Sequence, residues 1–333
     1  MYSKFDNKID TIYSYTNIRK DNLKFSNGKE VLIPRVGEDP DDYNHCAWLS
    51  LKNVAIGEMI SVYNTDNNPL FTAMMFNAKL KYEFAKKVEG GTVTNLYYEK
   101  IKNIYVSFPV DIKEQQKIAD FLTLIDKRIE TQMKIIEEYK SLIKGIREKV
   151  FNNYKGKIIK LHEVLSEYTE KNTNNDLIPI AVGKYGIRLR SEIYTKELSE
   201  DLSKNKVVTK NTLIIGMGTK QIDIGILLDD ITYCVSPAYT TYKINNIDAF
   251  YLNELLIHIN PLLSNKYMIT SARQGKSVNK KDLLKHTILI HHNNEQYKIA
   301  ALFKHLCKFL RINELLLKNF QDEKIYFLNN LFI

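Results

Sequence analysis

One run of more than forty residues limits what this chain can become. From Asp111 to Tyr154 it has no proline and a single glycine, Gly145. Residues Ile118, Leu122, Ile125, Ile129, Gln132, Ile136, Tyr139, Ile143, Ile146 and Val150 recur there in alternating steps of four and three. That is the 3.5-residue repeat of a helix that buries one seam against another helix. Glu and Lys fill most remaining positions, as on a solvated face. At 1.5 Å per residue, Ile118 to Val150 spans roughly 50 Å. A helix of that length and narrow seam needs a partner of similar length.

The end of the chain supplies one. An offset of 181 carries Glu114-Gln115 onto Glu295-Gln296 and Lys117-Ile118-Ala119 onto Lys298-Ile299-Ala300. The seam continues as Ile299, Phe303, Leu306, Leu310, Asn313, Leu317, Phe320, Lys324, Phe327 and Leu331, with Gln132 mapping onto Asn313. The chain is therefore an internal repeat: segment, helix, segment, helix. An α+β fold is expected, with two α/β segments separated by two long helices that pair as an antiparallel coiled coil under a pseudo-two-fold. The expected boundaries are 1–109, 110–155, 156–291 and 292–333. The connection permits either direction, and a parallel pair would also bring Gln132 near Asn313, two amides that satisfy each other in an apolar seam. A two-fold that sets the two segments at opposite ends of the spacer favours antiparallel pairing.

The chain of 333 residues has room for two domains of ordinary size. No window approaches eighteen uninterrupted apolar residues, so no membrane contact is expected. The first residues, MYSKFDNKID, lack the apolar core of a signal peptide. The three cysteines, Cys46, Cys234 and Cys307, are odd in number and widely spaced, as free thiols of a cytoplasmic protein. The net charge of +9 mildly favours a polyanionic partner, and its largest share, +4, lies in residues 156–291.

Local pattern gives the following expectations. Leu51–Tyr63 reads as strand broken at Gly57, Phe76–Val88 as helix ended by Gly90-Gly91, and Ile104–Phe108 as a strand entering the first long helix. In the second segment Leu161–Tyr168 reads as helix. Leu177–Val182, Thr212–Ile215 and Thr287–Ile290 read as strands, and Ile231–Ile244 as one or two more. Phe250–Ile259 reads as a helix closed by Asn260-Pro261.

The motif search finds no catalytic apparatus. Gly216-Met217-Gly218-Thr219-Lys220 lacks the spacing of a phosphate-binding loop and reads as strand into turn. Asn67-Asn68-Pro69-Leu70-Phe71 lacks the second proline of the amino-methyltransferase loop and reads as a turn. Glu38, Asp39, Asp41 and Asp42 read as a solvated loop, having no carboxylate–lysine partner on a strand. His45-Cys46 and His291-His292 lack metal-ligand spacing, so no metal is expected. What remains is recognition chemistry. Arg188 and Arg190 lie on one face of an extended segment, and Lys220, Gln221, Arg273, Gln274, Lys276 and Asn279 sit in or beside glycine-containing loops. Arg, Gln and Asn bond bidentately to guanine and adenine edges, and Lys suits phosphate. On the matching loop of the first segment the candidates are Thr92, Thr94 and Asn95.

Phe108-Pro109, Glu114-Gln115-Gln116-Lys117-Ile118-Ala119, Leu122, Asp126-Lys127-Arg128-Ile129 and Lys144, echoed by Glu295-Gln296, Lys298-Ile299-Ala300 and Leu302, resemble the specificity subunit of type I restriction-modification enzymes. The second motif departs from the first at Cys307, where Asp126 would map. The resemblance implies that each segment reads one half of a split site in double-stranded DNA. It also implies a helix pair that spaces the two segments and docks modification (methyltransferase) and restriction (endonuclease) subunits. S-adenosylmethionine, ATP and Mg then belong to the partners, with no cofactor in this chain. The entry comparable to Lys157–Leu165 has no counterpart ahead of the first segment, which reads as truncated at its N-terminus. The alternatives are a coiled-coil adaptor that binds only proteins and an inactive or recombination-fragment specificity subunit.

Overall fold

The computed structural model describes residues 7–12, 14–19, 21, 23–173, 175–183, 186–194, 201–271 and 275–332. The long helices are Ile112–Phe151 and Asn293–Leu331. They do not form a unit by themselves. The chain divides into one compact unit of Met1–Ile135 with Asn313–Ile333, and a second of Ile136–Ile312. Each unit thus holds one α/β segment, the near part of one long helix and the far part of the other.

Within each unit the helix parts run antiparallel. In unit 1, Phe121 meets Phe327 with ring centroids 4.8 Å apart, Asp126 pairs with Lys324, and Gln132 meets Asn313. In unit 2, Tyr139 meets Phe309 at 5.0 Å, and the Arg147 guanidinium lies 5.7 Å over the Phe303 ring. Every seam position named above is buried or half-buried. The Gln132 amide donates to Asn313 Oδ1 at 2.8 Å and to the Asn313 carbonyl at 3.1 Å.

The repeated Glu-Gln-x-Lys-Ile-Ala opening has a physical reason at three positions. Gln115 is fully buried; its amide donates to the Pro109 carbonyl at 2.7 Å and Asn67 Oδ1 at 2.9 Å, and accepts from Asn68 N at 2.8 Å. Gln296, 3 % exposed, donates to the His291 carbonyl at 2.8 Å. Each glutamine therefore ties the start of its helix to the residues leading into it. Ile118 and Ile299 enter the seam, and the buried Ala119 and Ala300 leave room for close packing. The far ends match as well. Phe332 packs on Phe71 in unit 1 and Phe151 on Tyr251 in unit 2, each partner being the third residue of a capped helix.

In unit 1 a four-stranded sheet runs Lys8–Ile9, Ala47–Leu49, Glu30–Pro34, Ile60–Asn64, with the first pair parallel. Helices Pro69–Lys79 and Lys81–Lys87 join Val31, Ile33 and Tyr43 to the helix residues Leu122 and Ile125 in one core. Gly57 separates strands Lys52–Ile56 and Ile60–Asn64, as expected. The expected turn at Asn67–Phe71 is instead a helix start: Asn68 Oδ1 accepts from Phe71 N at 2.9 Å and Pro69 opens the first turn. An Asn-Pro pair is the signal for such a start. Ile104–Phe108 forms no strand, because no described segment pairs with it.

In unit 2 the main sheet runs Leu165–Glu167, Thr240–Ile244, Thr212–Gly216, Asp223–Leu227, all antiparallel. Leu161–Tyr168 is therefore not the expected helix. A 3-10 turn at Leu161–Glu163 passes into a strand whose ladder with Tyr242–Ile244 outweighs the local pattern. Helix Ala249–Tyr267 runs through Pro261 instead of stopping there. Asn260 Nδ2 donates to the Ile222 carbonyl at 2.9 Å and Ser264 accepts from Ile222 N at 2.9 Å, while Leu263 and Tyr267 are buried, so tertiary contacts hold the helix across the proline. Strand Thr287–Ile290 pairs antiparallel with Lys157–Lys160.

Two charged pairs occur in one unit and not at the equivalent place in the other. Asp126 and Lys324 map by the offset onto Cys307 and Ile143. Arg147 donates to Glu254 at 2.7 and 3.0 Å, with the Glu254 side chain 3 % exposed. Matching the capped helices at Asn68 and Asp248 places Leu328 and Met74 at the corresponding positions, both in the apolar core of unit 1. At each equivalent place both members are uncharged.

Replacing Gln132 alone by Leu takes the Gln132 donor away from the buried Asn313 Oδ1 and costs about 1–3 kcal/mol. The double change Gln132→Leu with Asn313→Leu recovers most of that, as measured by urea denaturation. Recovery is the distinguishing result, since two independent polar sites would add.

Burial holds the imidazoles of His258, His286 and His291 below their ordinary value, and Arg147 beside His258 and Lys266 beside His286 push the same way. His291 accepts or donates at Nδ1 with Tyr251 Oη at 2.8 Å and stacks on Tyr154. A base with a depressed folded pKa leaves stability unchanged above its unfolded value. As pH falls below about 6.5 the unfolded chain takes up protons that the folded state refuses, so stability drops until the folded values are passed. Thermal denaturation between about pH 7.5 and 5.5 is expected to show a falling Tm, with a shallower fall in His258→Gln/His286→Gln.

Candidate nucleic-acid interface

Strands Thr212–Gly216 and Asp223–Leu227 are joined by a turn that carries Lys220 and Gln221. Two glycines make it tight: a Cβ on Gly216 would lie 2.4 Å from the Tyr239 ring, and one on Gly218 2.0 Å from the Gln221 carbonyl. The same turn is anchored from below, where the buried Ile222 gives both backbone groups to Ser264 and Asn260. Met217, Thr219, Lys220 and Gln221 are left exposed on a rigid support. The Gly216–Lys220 stretch is strand into turn, as its spacing indicates.

A second hairpin, Ile180–Gly183 with Gly186–Leu189, lies over Asp223–Leu227. A Cβ on Gly225 would meet Ile187 at 2.9 Å and Val182 at 3.1 Å. Tyr239 Oη donates to the Val182 carbonyl at 3.3 Å, which joins the layers. Arg188 is exposed on this hairpin; the extended segment ends at Leu189, and Arg190 opens a helical turn, Arg190–Ile193. Its guanidinium lies 5.0 Å over the Tyr194 ring. Burial pushes the Tyr239 hydroxyl up, with Asp223, Tyr194 and Arg190 all close enough to act on it. Burial also pushes the Asp223 carboxyl up. The structure thus brings Arg190, Tyr194, Tyr239 and the Lys220–Gln221 turn to one region of unit 2. Tyr194 and Tyr239 were missed by sequence reasoning, although an aromatic four residues after an arginine is a legible stacking signal.

A third hairpin, Met268–Ser271 with Gly275–Val278, follows helix Ala249–Tyr267. Its candidates Arg273 and Gln274 lie outside the described residues, and Lys276 is described only as part of the strand. Asn279 caps helix Lys280–Leu284: its Oδ1 accepts from Asp282 N at 3.2 Å and its Nδ2 donates to Asp282 Oδ2 at 2.7 Å. The matching hairpin of unit 1 is Glu89–Gly90 with Thr94–Asn95. Gly90 has φ +138°, and a Cβ there would meet the Val93 carbonyl at 2.4 Å, so only glycine fits that turn. Thr92 is exposed at the tip, and Asn95 is half-buried in the strand. Thr94 is structural: its Oγ1 donates to the Gly37 carbonyl at 3.1 Å, and Tyr43 Oη donates to its carbonyl at 2.7 Å.

The acidic loop also has a structural role, since Asp42 Oδ2 accepts from Glu38 N at 2.9 Å and Asp39 N at 3.0 Å. Among the described residues no group of three or more His, Cys, Asp or Glu side chains could hold a metal ion. No helix among them is long and apolar enough to cross a membrane.

Residues 14–140 match the family described as the type I restriction modification DNA specificity domain. No curated protein matches the chain significantly. Among solved structures, the S subunit of a type I restriction-modification system from M. genitalium is similar at 15 % identity, covering 95 % of this chain and 86 % of that one, with a TM-score of 0.61. A chain from work on complex assembly and conformational transition of the type I R-M system is similar at 14 % identity, covering 93 % and 83 %, with a TM-score of 0.55.

Lys220→Ala is expected to leave folding intact, because the side chain is exposed. It should weaken DNA binding by a similar factor on all sequences and reduce the slope of log K against log salt by about 1. Gln221→Ala should instead change the preferred sequence. Titration of labelled duplexes at several salt concentrations checks both.

Proposed function

We propose that this chain, whose residues 14–140 match the type I restriction modification DNA specificity domain and whose fold is shared with a solved S subunit, is the DNA-reading subunit of a restriction-modification complex. The observation that carries the reading is the repeat: two units of one plan, each with a long-helix start tied by a buried glutamine and a two-stranded hairpin ahead of it in the chain. Each unit reads one half of a bipartite target, and the bases between them go unread. Phase along the duplex then matters, because a few inserted base pairs turn one half-site's groove away.

Methyl transfer with S-adenosylmethionine and ATP-driven cleavage with Mg are the work of partner subunits in the cytoplasm. The helix pair supplies their docking surface. Besides its buried seam, the second long helix carries Leu302, Phe309 and Ile312, 43, 50 and 51 % exposed, at steps of seven and three along one face. A second apolar stripe on an already paired helix suits a further helix laid against it.

Two measurements test this reading. Affinity for duplex DNA is expected to fall linearly in log K against log salt, with about 10³–10⁵ lost between 50 and 200 mM if 6–10 phosphates are contacted. A protein-only adaptor would show no such binding. Methylome sequencing of cells expressing the chain together with its modification subunit should reveal a gapped motif that disappears without the chain. Methyl incorporation by the purified chain alone would overturn the division of labour.

A further inference from the structure

An arginine stacked on a tyrosine occurs in each unit. In unit 1 the Arg35 guanidinium lies 5.2 Å over the Tyr97 ring, and in unit 2 that of Arg190 lies 5.0 Å over Tyr194. The main chain fixes both pairs in the same way. Arg35 N donates to the Met59 carbonyl at 3.2 Å, and its own carbonyl accepts from Leu96 N at 2.7 Å, which sets Tyr97 beside it. Arg190 N donates to the Pro179 carbonyl at 3.0 Å, and its carbonyl accepts from Tyr194 N at 3.0 Å. Leu96 is fully buried, so the unit 1 pair stands on the core.

The sheets place Arg35 where unit 2 carries its exposed turn. Glu30–Pro34 pairs antiparallel with Ile60–Asn64, the strand ahead of the helix capped by Asn68. Thr212–Gly216 pairs in the same way with Thr240–Ile244, the strand ahead of the helix capped by Asp248. Arg35 thus leaves its central strand at the end where Met217–Gln221 leaves the other. Its guanidinium is also uncommitted. Among the described residues it makes one contact of 3.5 Å, to the Glu58 carbonyl, and pairs with no carboxylate. The Arg190 guanidinium makes no hydrogen bond or ion pair there. Arg147, by contrast, spends its fork on Glu254 at 2.7 and 3.0 Å.

We propose that Arg35, held on Tyr97, is the guanine-reading residue of unit 1, as Arg190 on Tyr194 is of unit 2. This role rests on the DNA-reading assignment and gives it named residues. A guanidinium carries five N–H donors in one plane, and a ring beneath it fixes that plane. A fork of fixed plane suits two acceptors lying side by side, and guanine offers them as O6 and N7 on its major-groove edge. Adenine sets a donor beside its N7 and so leaves one N–H facing another. A phosphate is met as well by the freely turning ammonium of a lysine, and needs no stacked fork. Both rings are exposed, at 39 and 50 %, so a duplex can reach the stacks.

The test compares methylomes of cells that express the chain, or a variant of it, together with its modification subunit. Arg35→Lys keeps the charge and removes the planar fork. In this variant one G·C position in one half of the gapped motif is expected to become degenerate. Methylation at sites with the other base pairs there should rise about tenfold or more relative to guanine sites. Tyr97→Leu should relax the same position, and Tyr97→Phe, which restores the ring, should recover it. Arg190→Lys should relax a guanine in the other half. Each variant should keep the half it does not touch, which also shows that it folds. A motif unchanged in both Arg35→Lys and Arg35→Ala would overturn the inference and leave the DNA-reading assignment standing. So would an unchanged motif methylated less in Arg35→Ala and fully in Arg35→Lys, the mark of a phosphate contact. A wild-type chain that yields no gapped motif would overturn the assignment and the inference together.

Discussion

An apolar seam on a helix of about forty residues can be hidden only by another helix of matching length, and the architecture follows from that requirement. The matching helix lies at the far end of the chain, so neither unit is a contiguous piece of sequence. The core of unit 1 joins Leu122 and Ile125 of the first long helix with Phe332 of the second, around Phe71 and the sheet residue Val31. The core of unit 2 joins Ile143 and Phe151 with Phe303 in the same way. Each α/β segment is thus packed on a composite of both helices. Loss of the helix pairing would expose the floor of both.

The buried glutamines translate that scaffold into position. A buried side-chain amide is tolerated when its groups are bonded, and Gln115 spends them on three different stretches: the entering chain, the cap of helix Pro69–Lys79 and the loop before it. The helix that supports the sheet, the residues that lead out of the segment and the long helix are fixed at one point. A glutamate there could not donate and would bring a buried charge. The motif is therefore a joint, and its recurrence at Gln296 is why the repeat survives while the segments between diverge.

The scaffold was legible because its signal is periodic and long. The seam, its polar position and the offset of 181 follow from residue type alone, and Gln132 and Asn313 meet as that offset requires. Short elements were less legible where long-range pairing outweighs local pattern. Leu161–Tyr168 has helical spacing but becomes a turn and a strand because Thr240–Ile244 offers a ladder. Pro261 looks like a stop, and the contacts of Asn260 and Ser264 with Ile222 cannot be read from spacing. Candidate residues could be chosen by chemical type only, and their placement could not be read. Lys220 and Gln221 are displayed on an anchored turn, whereas Asn279 and Thr94, of equally suitable chemistry, are occupied in holding the backbone.

The charged pairs that occur in one unit only have a consequence for heredity. Asp126 with Lys324 and Arg147 with Glu254 each join a residue of the first half of the sequence to one of the second. Doubling the first half would set Asp126 against Ile143 and Arg147 against Met74; doubling the second would set Lys324 against Cys307 and Glu254 against Leu328. Breaking a pair as buried as that of Glu254 costs about 3–5 kcal/mol, a large share of a domain's stability. The halves are related by descent from one plan, yet they have become complementary, like two sides of a clasp. Copying one half into the place of the other leaves unmatched charge at both ends.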